Sequence, residues 1–144
     1  MEFVRQVESA GVDFISVHGR LKNQRSSTPP NLEAIALVKS TVQCPVVANG
    51  DVYSMRDVKK IVAATHVDGI LMSEYADVGV MSARGLLENP ALYAGHEKTP
   101  WGCVERYVNY ALTYGTTSHI FQHHVSEMTG SIFTKKGTNG REMN

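Results

Sequence analysis

Three short segments hold residue types that can do chemistry: Val17-His18-Gly19-Arg20, Asn49-Gly50-Asp51 and Ala83-Arg84-Gly85. The His18 imidazole can hydrogen-bond a ligand carbonyl or ring nitrogen, and the Arg20 guanidinium can pair with an anion. Asn49-Gly50-Asp51 joins an amide, a residue free to take positive φ, and a carboxylate. Such a turn lets backbone N–H groups approach a phosphate or sugar closely. Ala83-Arg84-Gly85 adds a guanidinium beside a small residue, which together with backbone amides suits a phosphate. Each segment alone also reads as ordinary loop: a histidine held by a carbonyl, or a strand-to-helix turn with its cap. Their recurrence at roughly thirty-residue intervals, about one βαβ unit, makes the set more specific than any member.

The elements that must position these segments follow from apolar runs and caps. Residues 2–10 predict a short helix with Phe3, Val4 and Val7 on one face, ended by Gly11. Phe14-Ile15-Ser16-Val17 predicts a buried strand that delivers His18 and Arg20 to its end. A polar loop over 21–30 leads to Asn31, a cap for a helix through about residue 41 with Leu32, Ile35 and Val38 inward. Pro45-Val46-Val47-Ala48 predicts a second strand, and Asn49-Gly50-Asp51 turns away from it. Ser54, with Asp57 three residues on, opens a further helix whose inner stripe is Val58, Ile61 and Val62. This alternation argues for a parallel α/β architecture, where ligands sit at the carboxyl ends of the strands.

The third strand has two claimants. Asp68-Gly69-Ile70-Leu71-Met72-Ser73 and Asp77-Val78-Gly79-Val80-Met81-Ser82 are near-copies of one phrase. The second leads directly into Ala83-Arg84-Gly85 and is assigned to the sheet. The first is expected as a protruding loop or extra extended segment. After Pro90 come a linker over 95–100 and a helix with Val104, Tyr107, Val108, Ala111 and Leu112 in a stripe, ended by Gly115. A second helix over 118–129 and a disordered tail over 130–144 complete the expectation.

Composition bounds the rest. The 144 residues suffice for one core, and 42% hydrophobic with 19% charged residues is ordinary globular usage. Lys plus Arg and Asp plus Glu number 14 each, so no overall basic field announces nucleic acid, although a local patch can serve. Cys44 and Cys103 lie far apart without a C-x-x-C pairing, which fits a reducing compartment, and neither has a sequence neighbour that would lower its pKa. No signal peptide or membrane span is expected. His119, His123 and Glu127 recur at i, i+4 and i+8 with His124 adjacent, a spacing that two zinc ligands can share. A solvated polar helix face explains that spacing as well, and no metal is expected.

In order and spacing, three motifs resemble the tRNA-dihydrouridine synthases. They are Val17-His18-Gly19-Arg20 with Gln24 downstream, Pro45 through Asp51, and Ala83-Arg84-Gly85-Leu86-Leu87-Glu88-Asn89-Pro90. The continuation Ala91-Leu92-Tyr93-Ala94-Gly95 looks most like the eukaryotic branch that modifies D-loop positions 20a and 20b. The resemblance implies the C-terminal part of a (β/α)₈ TIM barrel, about three parallel strands over 1–95. Part of a helical tRNA-binding domain would follow over 96–129. It implies FMN as cofactor, with NADPH or NADH as hydride donor, and tRNA as partner. It implies further that His18 contacts the flavin ring and that Asn49, Gly50 and Asp51 line its ribityl and phosphate end. Ala83 and Arg84 would hold the phosphate, while Arg20 would face either the flavin pocket or the RNA. The family reaction reduces the C5–C6 bond of uridine by hydride from the flavin, with a cysteine as general acid. A monomeric, cytoplasmic protein is expected.

The sequence departs from the family in three places. It begins at the helix before the sixth barrel strand, so the catalytic cysteine loop and the flavin-contacting lysine have no counterpart among these residues. Cys44 and Cys103 fall at other motif positions, and no catalytic residue is assigned. The family runs Val67-Asp68-Gly straight into Val80-Met81, so about ten residues are inserted here. After Met128 the family pattern is lost. These departures lead to the expectation of a truncated, inactive form. The alternatives are another FMN-dependent barrel oxidoreductase of pyrimidines, such as a dihydroorotate or dihydropyrimidine dehydrogenase relative, and a non-catalytic product.

Overall fold

The computed structural model describes residues 1–68 and 79–133, with side chains through residue 130. Packing divides the chain into two units, Met1–Ser82 and Ala83–Asn144. The first unit is α/β: α1 (Glu2–Ser9), β1 (Ile15–His18), α2 (Leu32–Thr41), β2 (Val46–Asn49), α3 (Met55–Thr65) and β3 (Val80–Met81). Its three strands lie parallel in the order β1-β2-β3.

The central strand explains the core. Val46, Val47 and Ala48 form an unbroken apolar run on the middle strand, and all three are buried, so neither face of β2 is open. Ile35 and Val38 of α2, Val58 and Ile61 of α3, and Val80 of β3 join this core, with Val42, Val52 and Val67 from the connecting segments. Both caps read from sequence are present. The Asn31 side chain accepts from the Ala34 amide at 2.9 Å, and the Ser54 hydroxyl oxygen accepts from the Asp57 amide at 3.2 Å. Asp57 in return accepts from the Tyr53 amide at 3.1 Å. The second of the two repeated phrases supplies β3, with Val80 opposite Ala48 and Met81 opposite Asn49. The first phrase lies, past Asp68, outside the described residues.

Two expectations of burial are corrected. β1 is not a buried strand: Ile15 and Val17 are half-buried, Ser16 and His18 exposed, and Phe14 is 46% exposed. As an outer strand of the three it has one described neighbour, and the face that carries Phe14, Ser16 and His18 is exposed. No residue of α1 is buried either, and Phe3, expected inward, is 75% exposed.

The second unit is helical. It comprises α4 (Arg84–Glu88), a 3₁₀ turn (Leu92–Ala94), α5 (Trp101–Tyr114) and α6 (Ser118–Phe133). Buried Asn89 organises its start, donating to the His96 carbonyl at 2.6 Å and accepting from the Ala91 amide at 3.1 Å. The two long helices meet at Tyr107, whose ring stacks on Phe121 at 5.9 Å and on His124 at 5.4 Å. Leu112, placed in the inward stripe by spacing, is 78% exposed. α6 also outruns its expected end at residue 129. Met128 and Thr129 are buried and carry the helix past Gly130 to Phe133, whereas the rest of the expected tail, 134–144, lies outside the described residues.

Candidate functional site

The parallel register sets His18 directly opposite Asn49, so the first two motifs end at one edge of the sheet. The Gly19 amide donates to the Asn49 carbonyl at 3.3 Å, which extends the pairing one residue past the strand. The Asn31 amide then donates to the Gly19 carbonyl at 2.7 Å and brings the start of α2 back to the same place. Pro30 is wedged there: a Cβ on Gly19 would lie 2.9 Å from the Pro30 Cβ, and one on Gly50 would lie 3.2 Å from it. The two motif glycines therefore let the ends of β1 and β2 close around one proline ring. Gly50 has φ 139° and Asp51 φ 50°, so the chain leaves β2 through two consecutive positive-φ residues. Glycine adopts this conformation freely, and aspartate is among the few other residues that tolerate it.

His18 and Arg20 have defined partners. The Arg20 amide donates to His18 Nδ1 at 3.1 Å. An accepting Nδ1 carries no proton, so the neutral ring holds its proton on Nε2 and presents a donor there. The anion that the sequence suggested for Arg20 is internal to the chain. The guanidinium forms an ion pair with Asp51, and also donates to the Thr28 carbonyl and, at 3.1 Å, to the Ser26 carbonyl. Nothing in local spacing pointed to this pair, because its members are separated by a whole helix and strand. Pro30 and the loop carbonyls of Ser26 and Thr28 were missed for the same reason.

Two carboxylates fix the opposite end of β2, and sequence reading found neither. Glu8 of α1 accepts from the Gln43 and Cys44 amides at 2.6 and 2.8 Å. Asp68 accepts from the Val46 amide at 3.0 Å and pairs with Lys39 at 2.7 Å. The amide bonds from Cys44 and Gln43 hold Glu8 below the usual carboxylate range. For Asp68 burial pushes upward, but the Lys39 ammonium and the Val46 amide outweigh it and leave the group below its ordinary value. Cys44 is half-buried, and burial followed by the neighbouring Glu8 charge raises its thiol pKa, so the thiol stays protonated at neutral pH.

Ala83 and Arg84 follow β3 in the chain and open the second unit, where the Ala83 carbonyl accepts from the Leu86 and Leu87 amides at 3.1 and 3.2 Å. In the same unit His123 Nδ1 lies 4.0 Å from a Glu127 carboxylate oxygen, while His124 is stacked on Tyr107. Among the described residues no three His, Cys, Asp or Glu side chains converge as a metal site. Likewise, no described helix is long and apolar enough to cross a membrane.

A family profile described as dihydrouridine synthase matches residues 1–142. A protein of Schizosaccharomyces pombe named tRNA-dihydrouridine(20a/20b) synthase is 50% identical over 131 residues, covering 90% of this chain and 37% of that protein. Its namesake in Saccharomyces cerevisiae is 38% identical over 148 residues, covering 100% of this chain and 38% of its own. A human protein named as tRNA-dihydrouridine(20a/20b) synthase-like is 35% identical across 94% of this chain and 39% of its own. The chain thus spans roughly two fifths of the length of these relatives. A match over nearly its whole length has one consequence: the chain belongs to the dihydrouridine synthase family.

Proposed function

We propose that this chain carries the flavin-phosphate portion of an FMN-dependent tRNA-dihydrouridine synthase. Its α/β unit would be part of a TIM barrel within residues 1–95, and the helices over 96–129 part of a tRNA-gripping domain. The observation that carries this reading is the register that puts His18 beside Asn49 at one sheet edge, with Gly50 and Asp51 turning away from it. The donor set suits the cofactor. A ring N–H on His18 Nε2 matches the acceptor atoms of a flavin ring, and a turn through two positive-φ residues brings backbone close to a bulky ligand. In this assignment His18 orients the ring, Asn49, Gly50 and Asp51 line the ribityl and phosphate end, and Ala83 and Arg84 hold the phosphate. When bound, FMN supplies the hydride that reduces the uracil ring, drawn from NADPH or NADH; the residues named here bind and orient it. The names of the relatives, which specify both tRNA and NAD(P)+, support the substrate and the donor.

The test is the visible spectrum of the purified chain, before and after titration with FMN. A flavin band that stays with the protein through gel filtration is the expected result. A colourless protein whose added FMN elutes entirely free would overturn the reading.

A further inference from the structure

Arg20 is a buried cation with a fixed address. Its side chain is 7% exposed, pairs with the partly exposed Asp51 carboxylate, and is anchored as well by the carbonyls of Ser26 and Thr28. Asp51 ends the turn that the proposed function gives to the ribityl and phosphate end of the cofactor, and a bare carboxylate there has the wrong charge. Like charges in a partly desolvated site repel strongly, and a phosphate carries up to two negative charges. We propose that Arg20 is a positioning residue: it neutralises the Asp51 carboxylate and ties it back, so that the turn admits a phosphate. This inference rests on the flavin reading of the site.

Three observations converge on it. Two loop carbonyls hold the guanidinium as well, Thr28 at Nε and Ser26 at the same Nη2 that meets Asp51, so its place does not depend on the ion pair alone. Asp51 sits at φ 50°, and its carboxylate meets the guanidinium there. The Arg20 backbone amide also binds His18 Nδ1, so one residue sets both the charge of the β2 turn and the proton position on the β1 histidine. A lysine could supply the charge, but its single ammonium cannot present the planar fork that reaches a carboxylate and two carbonyls together.

The test compares FMN with riboflavin, which shares the ring and ribityl chain and lacks the phosphate. Affinities for both are measured on the full chain and on Arg20→Met, Asp51→Asn and the double variant. For Arg20→Met the expected result is a loss of about tenfold in FMN affinity with riboflavin nearly unaffected. Asp51→Asn shifts the FMN-to-riboflavin ratio the other way, and the double variant returns the ratio toward that of the unmodified chain. Equal loss of both flavins in Arg20→Met would make Arg20 merely structural. A double variant as poor in FMN as Arg20→Met would make Arg20 itself the phosphate ligand. Loss of both flavins in Asp51→Asn would make Asp51 a direct ligand. Each of these overturns the charge-balancing role while leaving the flavin site standing. An unmodified chain that binds neither flavin overturns the site itself, and the Arg20 role with it. Should Arg20→Met fail to fold, the Asp51→Asn ratio still decides.

Discussion

Gly19 owes its place to a neighbour that sequence inspection does not suggest. Any side chain there meets the Pro30 Cβ at 2.9 Å and the Asn31 amide nitrogen at 3.0 Å, both parts of a stiff, capped segment with little room to yield. Gly19→Ala is therefore expected to destabilise the first unit by about 1–3 kcal/mol, the usual range for overpacking a tight contact, measured by urea denaturation. An unchanged midpoint would mean that Pro30 is not seated between the turns. Arg84 is assigned by type and chain position, one residue past Ala83. Arg84→Ala is expected to weaken FMN binding about tenfold, the scale of one lost charge-assisted contact, read by flavin fluorescence. Equal affinity in variant and parent would withdraw Arg84 from the phosphate site. His18, Asn49 and Gly50 were legible as a set because strand ends collect ligands. The Arg20–Asp51 pair was not, because an ion pair across thirty-one residues leaves no local trace.

At the scale of elements, what could be read locally was read. The Asn31 and Ser54 caps, the α2 stripe of Ile35 and Val38, and the choice of the second repeated phrase for β3 all follow from rules acting over a few residues. Burial does not, because it depends on which other element arrives. Phe3, Phe14 and Leu112 have the right spacing for buried positions and are exposed all the same. α6 runs past residue 129, where apolar periodicity fades, because burial of Met128 and Thr129 holds its last described turns. The start of β2 depends on charge. Glu8 and Asp68 both have folded pKa values below their ordinary ones, so the stability they contribute is complete above the ordinary carboxylate range near pH 4. It is lost as pH falls through the lowered folded values. Glu8→Gln is expected to flatten the fall of stability with acid, seen as a smaller change in denaturation midpoint between neutral and acid pH. A slope identical to that of the parent would show that the carboxylate bonds to Gln43 and Cys44 do not contribute.

At the scale of the molecule, the two units place the motif residues unevenly. His18, Asn49, Gly50 and Asp51 belong to the first, and Ala83 and Arg84 to the second. The family match runs through both, from residue 1 to residue 142. Within the first unit, Asp68 and Gly79 lie against each other: a methyl group on Gly79 would collide with the Asp68 carbonyl oxygen. Both also bond to β2, Asp68 through the Val46 amide and Gly79 through the Ala48 amide, two residues apart on one strand. Deleting residues 69–78 is thus expected to leave the sheet in register and to raise stability modestly, since closing a shorter span of chain between Asp68 and Gly79 costs less entropy. Thermal denaturation of the deletion variant checks this, and a protein that no longer unfolds cooperatively would count against it. The meeting of Asp68 and Gly79 makes this point a natural seam in the chain. A short stretch of residues can be gained or lost at this point while the strand that leads into Ala83 and Arg84 keeps its place, so chains with and without it are expected to share one fold.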